Sequence, residues 1–212
     1  LSLIITNRIY NNTIVPFFLN DAVFKITSIY NYLQSLWIKL FGNIELKNIR
    51  LMSSIIGTFT ISFFYFFAKE LFNRKVAVIA SIFLILYLPH IIISRLAWLW
   101  IFGPFFAVTA FYFLFLGIRK SNQILIGLSG ALTGLGLYFY SSSYVVPLVI
   151  ILFIIFCNIK KFRNNLKYLF IYIIPFLIAI LPLLIFIIKN PYSYILERTN
   201  DTSIFRFANN LS

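Results

Sequence analysis

Ala68-Lys69-Glu70-Leu71-Phe72-Asn73-Arg74-Lys75-Val76-Ala77 packs three basic residues into a short gap between two apolar runs. Working outward from this stretch, every second gap repeats the pattern. Arg119-Lys120 and Lys160 to Lys167 are basic, whereas Ser94-Arg95 and Ser141 to Tyr144 are lean in Lys and Arg. Alternation of this kind belongs to a chain that crosses a membrane repeatedly, because cytoplasmic loops keep the excess of Lys and Arg. The basic gaps are therefore expected inside and the lean gaps outside. The sequence predicts an all-α, polytopic membrane helical bundle, with its chemistry on the outer face.

Composition agrees. Hydrophobic residues make up 61% of the 212 and charged residues 11%, with a mean hydropathy of +0.95, far from the balance of a soluble domain. A formal charge of +13 would point a soluble protein toward nucleic acid. Here the basic residues sit at the ends of apolar runs, where orientation and anionic headgroups account for them, so no nucleic-acid partner is expected. Cys157 is the only cysteine, which excludes an internal disulfide or a cysteine metal cluster. The chain opens on Leu1 without a signal peptide pattern and stops at Ser212 in a polar stretch, so it reads as a fragment of a longer protein.

Six apolar segments are candidate spans: 51–68, 76–94, 96–117, 124–140, 144–158 and 168–188. A crossing helix needs ~20 apolar residues for a hydrocarbon layer of roughly 30 Å. Four segments meet that need, and the fourth and fifth are short. Together those two are too long for one crossing, and both their outer flanks are basic, so they read as a hairpin bending at Ser141-Ser142-Ser143. Pro89, Pro104, Pro147, Pro175 and Pro182 lie inside the segments, where packed neighbours re-satisfy freed carbonyls. Gly127, Gly130, Gly134 and Gly136 are spaced for close helix packing.

Residues 1–50 are expected to form an outer-face juxtamembrane region, 51–188 a six-helix transmembrane region, and 189–212 a truncated outer segment. Within the first, Ile29, Leu33, Leu36, Trp37, Leu40 and Phe41 recur at helical spacing, with Asn31, Gln34, Ser35 and Lys39 between them. This predicts an amphipathic helix over 28–42, stopped by Gly42, lying in the headgroup layer. A seventh crossing is the alternative, and it would need partners for Gln34 and Lys39.

Of five acids, Glu70 falls in a cytoplasmic gap, while Asp21, Glu45, Glu197 and Asp201 fall outside. Arg8, Lys25, Lys39, Lys47, Arg50, Arg95, Lys189, Arg198 and Arg206 share that outer side. A few acids among many bases suit an anionic ligand whose reaction also needs a carboxylate. Charge as deep as Arg95 calls for a cavity or a partner, unless it snorkels to the headgroups. His90 has no acidic neighbour in sequence and reads as a satisfied interior group. No His/Asp/Glu spacing recurs that would hold a metal. Tyr138, Tyr140 and Tyr144 flank the serine bend, as an interfacial aromatic belt or as a surface for a sugar or a polyprenyl chain.

The order of these motifs resembles a known superfamily. Phe24-Lys25 precedes an aromatic helix ending Trp37-Ile38-Lys39-Leu40-Phe41-Gly42; Arg50 opens the first span; the Lys69–Lys75 loop, Ser94-Arg95, Gly134–Tyr140 and Pro147-Leu148 follow. The series resembles the GT-C glycosyltransferases that use polyprenyl- or dolichyl-phosphate sugars, nearest to the protein mannosyltransferase and aminoarabinose transferase families. The resemblance implies transfer of a sugar from a polyprenyl-phosphate donor to an acceptor hydroxyl on a protein, lipid or glycan, on the outer face and without a cofactor. It implies a catalytic acid, for which Asp21 is the candidate within this chain, although the family's acidic motif would fall upstream of Leu1. It further implies that Lys25, at the family's basic position before the aromatic helix, and Arg95, at its outer Ser-Arg, bind the substrate; Arg50 and Tyr144 are further substrate-binding candidates. Trp98, Leu99 and Trp100 fill a region where relatives carry charge. A transporter or lipid flippase, or a non-catalytic subunit of envelope glycan assembly, is the alternative. A bacterial inner membrane is the expected location.

Overall fold

The computed structural model describes residues 29–41, 45–96, 99–139, 141–156 and 162–189. The described residues form eight α-helices, and among them there is no strand. In chain order they are α1 (Ile29–Phe41), α2 (Leu46–Leu71), α3 (Arg74–Leu86), α4 (Leu88–Arg95), α5 (Phe102–Arg119), α6 (Gln123–Gly136), α7 (Val145–Phe156) and α8 (Phe162–Lys189). Short 3-10 turns at Leu99–Ile101 and Ser141–Tyr144 lead into α5 and α7. The helices pack side by side, α8 on α6, α6 on α5 and α5 on α2, with α3 and α4 also against α2.

Three stretches are long and apolar enough to cross a membrane: Lys47–Leu71, Leu99–Arg119 and Leu166–Lys189. α3 and α4 pass the same test as a pair, bent by 60°. α6 and α7 are apolar but shorter. This chain is an integral membrane protein built as a helical bundle.

The prolines explain where helices stop and where they continue. Tyr87 is extended, and Pro89 occupies the first turn of α4, where its missing N–H is not needed. The apolar run 76–94 is consequently two helices and not one. Pro104 and Pro147 likewise fall in the first turns of α5 and α7. Pro175 and Pro182, by contrast, stay inside an unbroken 28-residue α8, supported by its packing on α6.

That packing depends on missing side chains. A Cβ on Gly130 would run into the Tyr172 carbonyl oxygen, and one on Gly134 would lie 2.7 Å from the Ala179 Cβ. Between α5 and α6 the Ser129 hydroxyl donates to the Ala110 carbonyl at 2.7 Å. Tyr138 is buried, and its hydroxyl donates to the Ala179 carbonyl of α8 at 2.8 Å. This tyrosine therefore ties helices together and is not part of an exposed belt.

Two sets of contacts define the two ends. At one, Arg119 pairs with Glu70 at 2.6 Å, joining the Lys69–Lys75 bend to the Arg119–Lys120 bend. Glu70 thus finds its partner across the bundle and not in the adjacent Lys69. Asn73 and Asn122 cap the helices leaving these bends, accepting from the Val76 and Ile124 amides at 2.9 Å. α2 rises about 39 Å over its length, and its other end meets α4, the Leu99–Ile101 turn and α1. There Phe102 stacks on Phe139 at 4.5 Å and meets Tyr30 edge-on at 5.9 Å. The basic bends and the lean turns within the described residues therefore occupy opposite ends of the bundle.

α1 docks at the lean end, with the Trp37 indole donating to the Asn48 carbonyl at 3.0 Å. Its buried face is Tyr30, Asn31, Gln34, Ser35 and Ile38, whereas Leu36, Leu40 and Phe41 are exposed. The polar stripe thus faces protein and not water. This inversion follows from the surroundings, since a helix against lipid turns apolar side chains outward and satisfies polar ones inward.

Candidate functional site

The lean end gathers the described residues that the sequence marks for anion binding. Arg50 lies in the first turns of α2, and Arg95 is the last residue of α4; both are exposed. A single hydroxyl brings them together. Ser54 Oγ lies 3.0 Å from the Arg50 carbonyl, one helical turn behind it, and 3.2 Å from the Ser94 carbonyl, 40 residues away in sequence. The backbones that carry the two arginines are therefore neighbours across the α2–α4 contact.

Deeper in the same contact, α2 and α4 approach closely at Gly57. A Cβ there would lie 2.7 Å from the Ser94 Cβ. His90 is 7% exposed, and its Nε2 lies 3.3 Å from the Gly57 carbonyl. An N–H at that nitrogen donates to the carbonyl, so His90 is a hydrogen-bonded interior group. The Ser94 hydroxyl turns back to the Ile91 carbonyl at 2.8 Å.

Tyr144 sits at the same end, in the turn that follows Phe139, and is 41% exposed. Asp21 and Lys25 lie outside the described residues. Glu45 is exposed and directly precedes α2, without a side-chain capping bond. Lys39, Lys47 and Lys189 complete the charges described at this end. Among the described residues this end thus carries five basic side chains (these three and the two arginines) and one carboxylate, an excess of positive charge that draws anions and favours a phosphate. Arg has the geometry for bidentate contact with phosphate oxygens. Among the described residues no three His, Cys, Asp or Glu side chains group as a metal site.

Within α1, Gln34 donates to the Tyr30 hydroxyl in a buried pair one turn apart. Burial pushes the Tyr30 phenol up to about 12, so it stays neutral and polar at working pH. This inward polar face was missed in sequence because helical periodicity reports which residues share a face, not which face meets protein. Ser54 and Gly57 were missed as well. A serine and a glycine in an apolar run carry no signal until their partner helix is known.

The family model described as dolichyl-phosphate-mannose-protein mannosyltransferase matches residues 27–186, most of the chain. No curated protein and no solved structure matches.

Proposed function

This chain belongs to the dolichyl-phosphate-mannose-protein mannosyltransferase family, and on that premise we propose that its lean end binds the phosphate of a polyprenyl-phosphate sugar and presents it for transfer. Membership makes it a membrane glycosyltransferase with a lipid-phosphate-linked donor. The observation that carries the finer reading is the juxtaposition of Arg50 and Arg95 through Ser54. Two cations at one bundle end supply charge where the leaving group needs it.

In the proposed reaction a carboxylate takes the proton of an acceptor hydroxyl. The hydroxyl oxygen attacks the anomeric carbon while the bond from that carbon to the phosphate oxygen breaks. The electron pair leaves with the polyprenyl phosphate. Arg50 and Arg95, joined by Lys25, would stabilise the growing charge on that phosphate, a preorganised field requiring no rearrangement during reaction. Asp21 is the candidate base within this chain. Tyr144 would offer its ring to the sugar or the first isoprene unit.

The decisive assay is transfer by the full-length enzyme in proteoliposomes. Labelled polyprenyl-phosphate sugar should be consumed with stoichiometric release of polyprenyl phosphate, and a nucleotide sugar should not replace it. Movement of the intact donor across the bilayer without cleavage would favour the flippase reading and defeat this one.

The face on which this happens follows from the charge alternation. The Lys-rich bends would be cytoplasmic, leaving Arg50 and Arg95 on the opposite side. A second experiment tests that assignment, starting from a Cys157→Ser background. Asn73→Cys and Lys161→Cys should resist a membrane-impermeant maleimide in intact cells, and Asn20→Cys and Asp201→Cys should react. The reverse labelling would overturn the outward orientation.

A further inference from the structure

We propose that Ser54, Gly57 and His90 are positioning residues, forming a latch that holds Arg95 in register beside Arg50; this rests on the phosphate-binding reading above. α4 cannot hold its own register. It is an eight-residue helix that follows a sharp bend, and helices this short are marginal alone. Its last carbonyls also lack intrahelical donors. A slip of one residue would swing Arg95 by about 100° around the helix axis.

α2 supplies what α4 lacks, at three points on one face. Ser54 reaches the Ser94 carbonyl, near the end of α4, at 3.2 Å. Gly57 leaves the space that the Ser94 Cβ fills, since an added methyl would stand 2.7 Å from it. His90 bonds the Gly57 carbonyl at 3.3 Å from a buried position one turn earlier in α4. A hydroxyl, a missing side chain and an imidazole thus fix the rotation, the separation and the depth of the helix that ends in Arg95. None of the three needs to touch the donor. Their effect reaches it through the arginine.

The test is a set of kinetic cycles on the full-length enzyme in proteoliposomes with a polyprenyl-phosphate sugar. Ser54→Ala and Gly57→Ala should each raise the donor KM about fivefold, the scale of one well-placed hydrogen bond, and leave the acceptor KM unchanged. Ser54→Thr keeps the hydroxyl and should restore the donor KM. In an Arg95→Gln background, Ser54→Ala should change the donor KM by less than about twofold, because the group it positions is gone. If Arg95→Gln raises the donor KM while Ser54→Ala adds its full effect on top, the latch is wrong and the phosphate site stands. If Arg95→Gln leaves the donor KM untouched, the phosphate reading falls and the latch with it.

Discussion

Replacing Arg50 and Arg95 together by Gln should reduce kcat/KM for the lipid-linked donor by about a thousandfold. A hydrogen bond to a charged group contributes roughly 1.5–3 kcal/mol, and about 1.4 kcal/mol is a factor of ten. Each arginine alone should therefore lower kcat/KM by roughly ten- to a hundredfold. Because the two backbones adjoin through Ser54, the losses should not add fully. The split between KM and kcat tells where the charge acts. Loss confined to KM means that the guanidinium groups bind the ground-state phosphate; loss in kcat means that they serve the charge that grows as the glycosidic bond breaks. Arg95→Lys should recover part of the rate, since it keeps the charge and forfeits the bidentate fork. Arg119→Gln is the control. That side chain is 69% exposed at the opposite end and pairs with Glu70, and an exposed pair is worth roughly 0–1 kcal/mol, so transfer should be unchanged. A double Gln variant with wild-type donor kinetics would remove the arginine pair from the mechanism.

The placement of these groups at opposite ends of the bundle was legible in the sequence because it depends on which gaps carry Lys and Arg. Arg119 and Glu70 meet at one end, and Ser94 and Ser54 at the other, as the alternation of gaps requires. The break at Tyr87 was harder to read. Five prolines sit in the apolar runs, and only the one in the first turn of α4 coincides with a sharp bend between helices of one run. What separates it from Pro175 is the contact that Pro175 makes with α6 at Gly127, and no property of the proline itself records that. The rotation of α1 was likewise beyond the pattern. Its stripes were visible, but the choice between turning Asn31 and Gln34 to water or to protein is made by tertiary contacts. Of the candidate site, the arginines could be nominated from charge and depth. The residues that bring them together could not, since Ser54 acquires meaning only from a carbonyl 40 residues away.

Gly130→Ala should destabilise the bundle by about 3 kcal/mol or more, at the upper end of overpacking effects, measured as a lowered midpoint of thermal unfolding in detergent. Helix propensity argues the other way, because alanine in a helix interior is favoured over glycine by about 1 kcal/mol. Sterics decide the sign. The new methyl would collide with the Tyr172 carbonyl oxygen, with the Phe176 amide nitrogen also at 3.4 Å, and both belong to helical backbone that no rotamer change can move. α8 would have to back away from α6, weakening the Gly134 approach and the bond from Tyr138 to the Ala179 carbonyl. Gly127→Ala provides the contrast on the same helix. Its Cβ would rest 3.4 Å from Pro175 Cγ and 3.7 Å from the Ile171 carbonyl oxygen, an ordinary contact, so propensity should prevail and the midpoint should hold or rise. Equal effects at the two positions would mean that α6 and α8 do not approach as closely as described. With Gly130→Ala destabilising and Gly127→Ala neutral, the close approach lies where two backbones meet. It also explains how α8 carries Pro175 without breaking, since helix packing this tight leaves the freed Ile171 carbonyl no room to turn toward lipid.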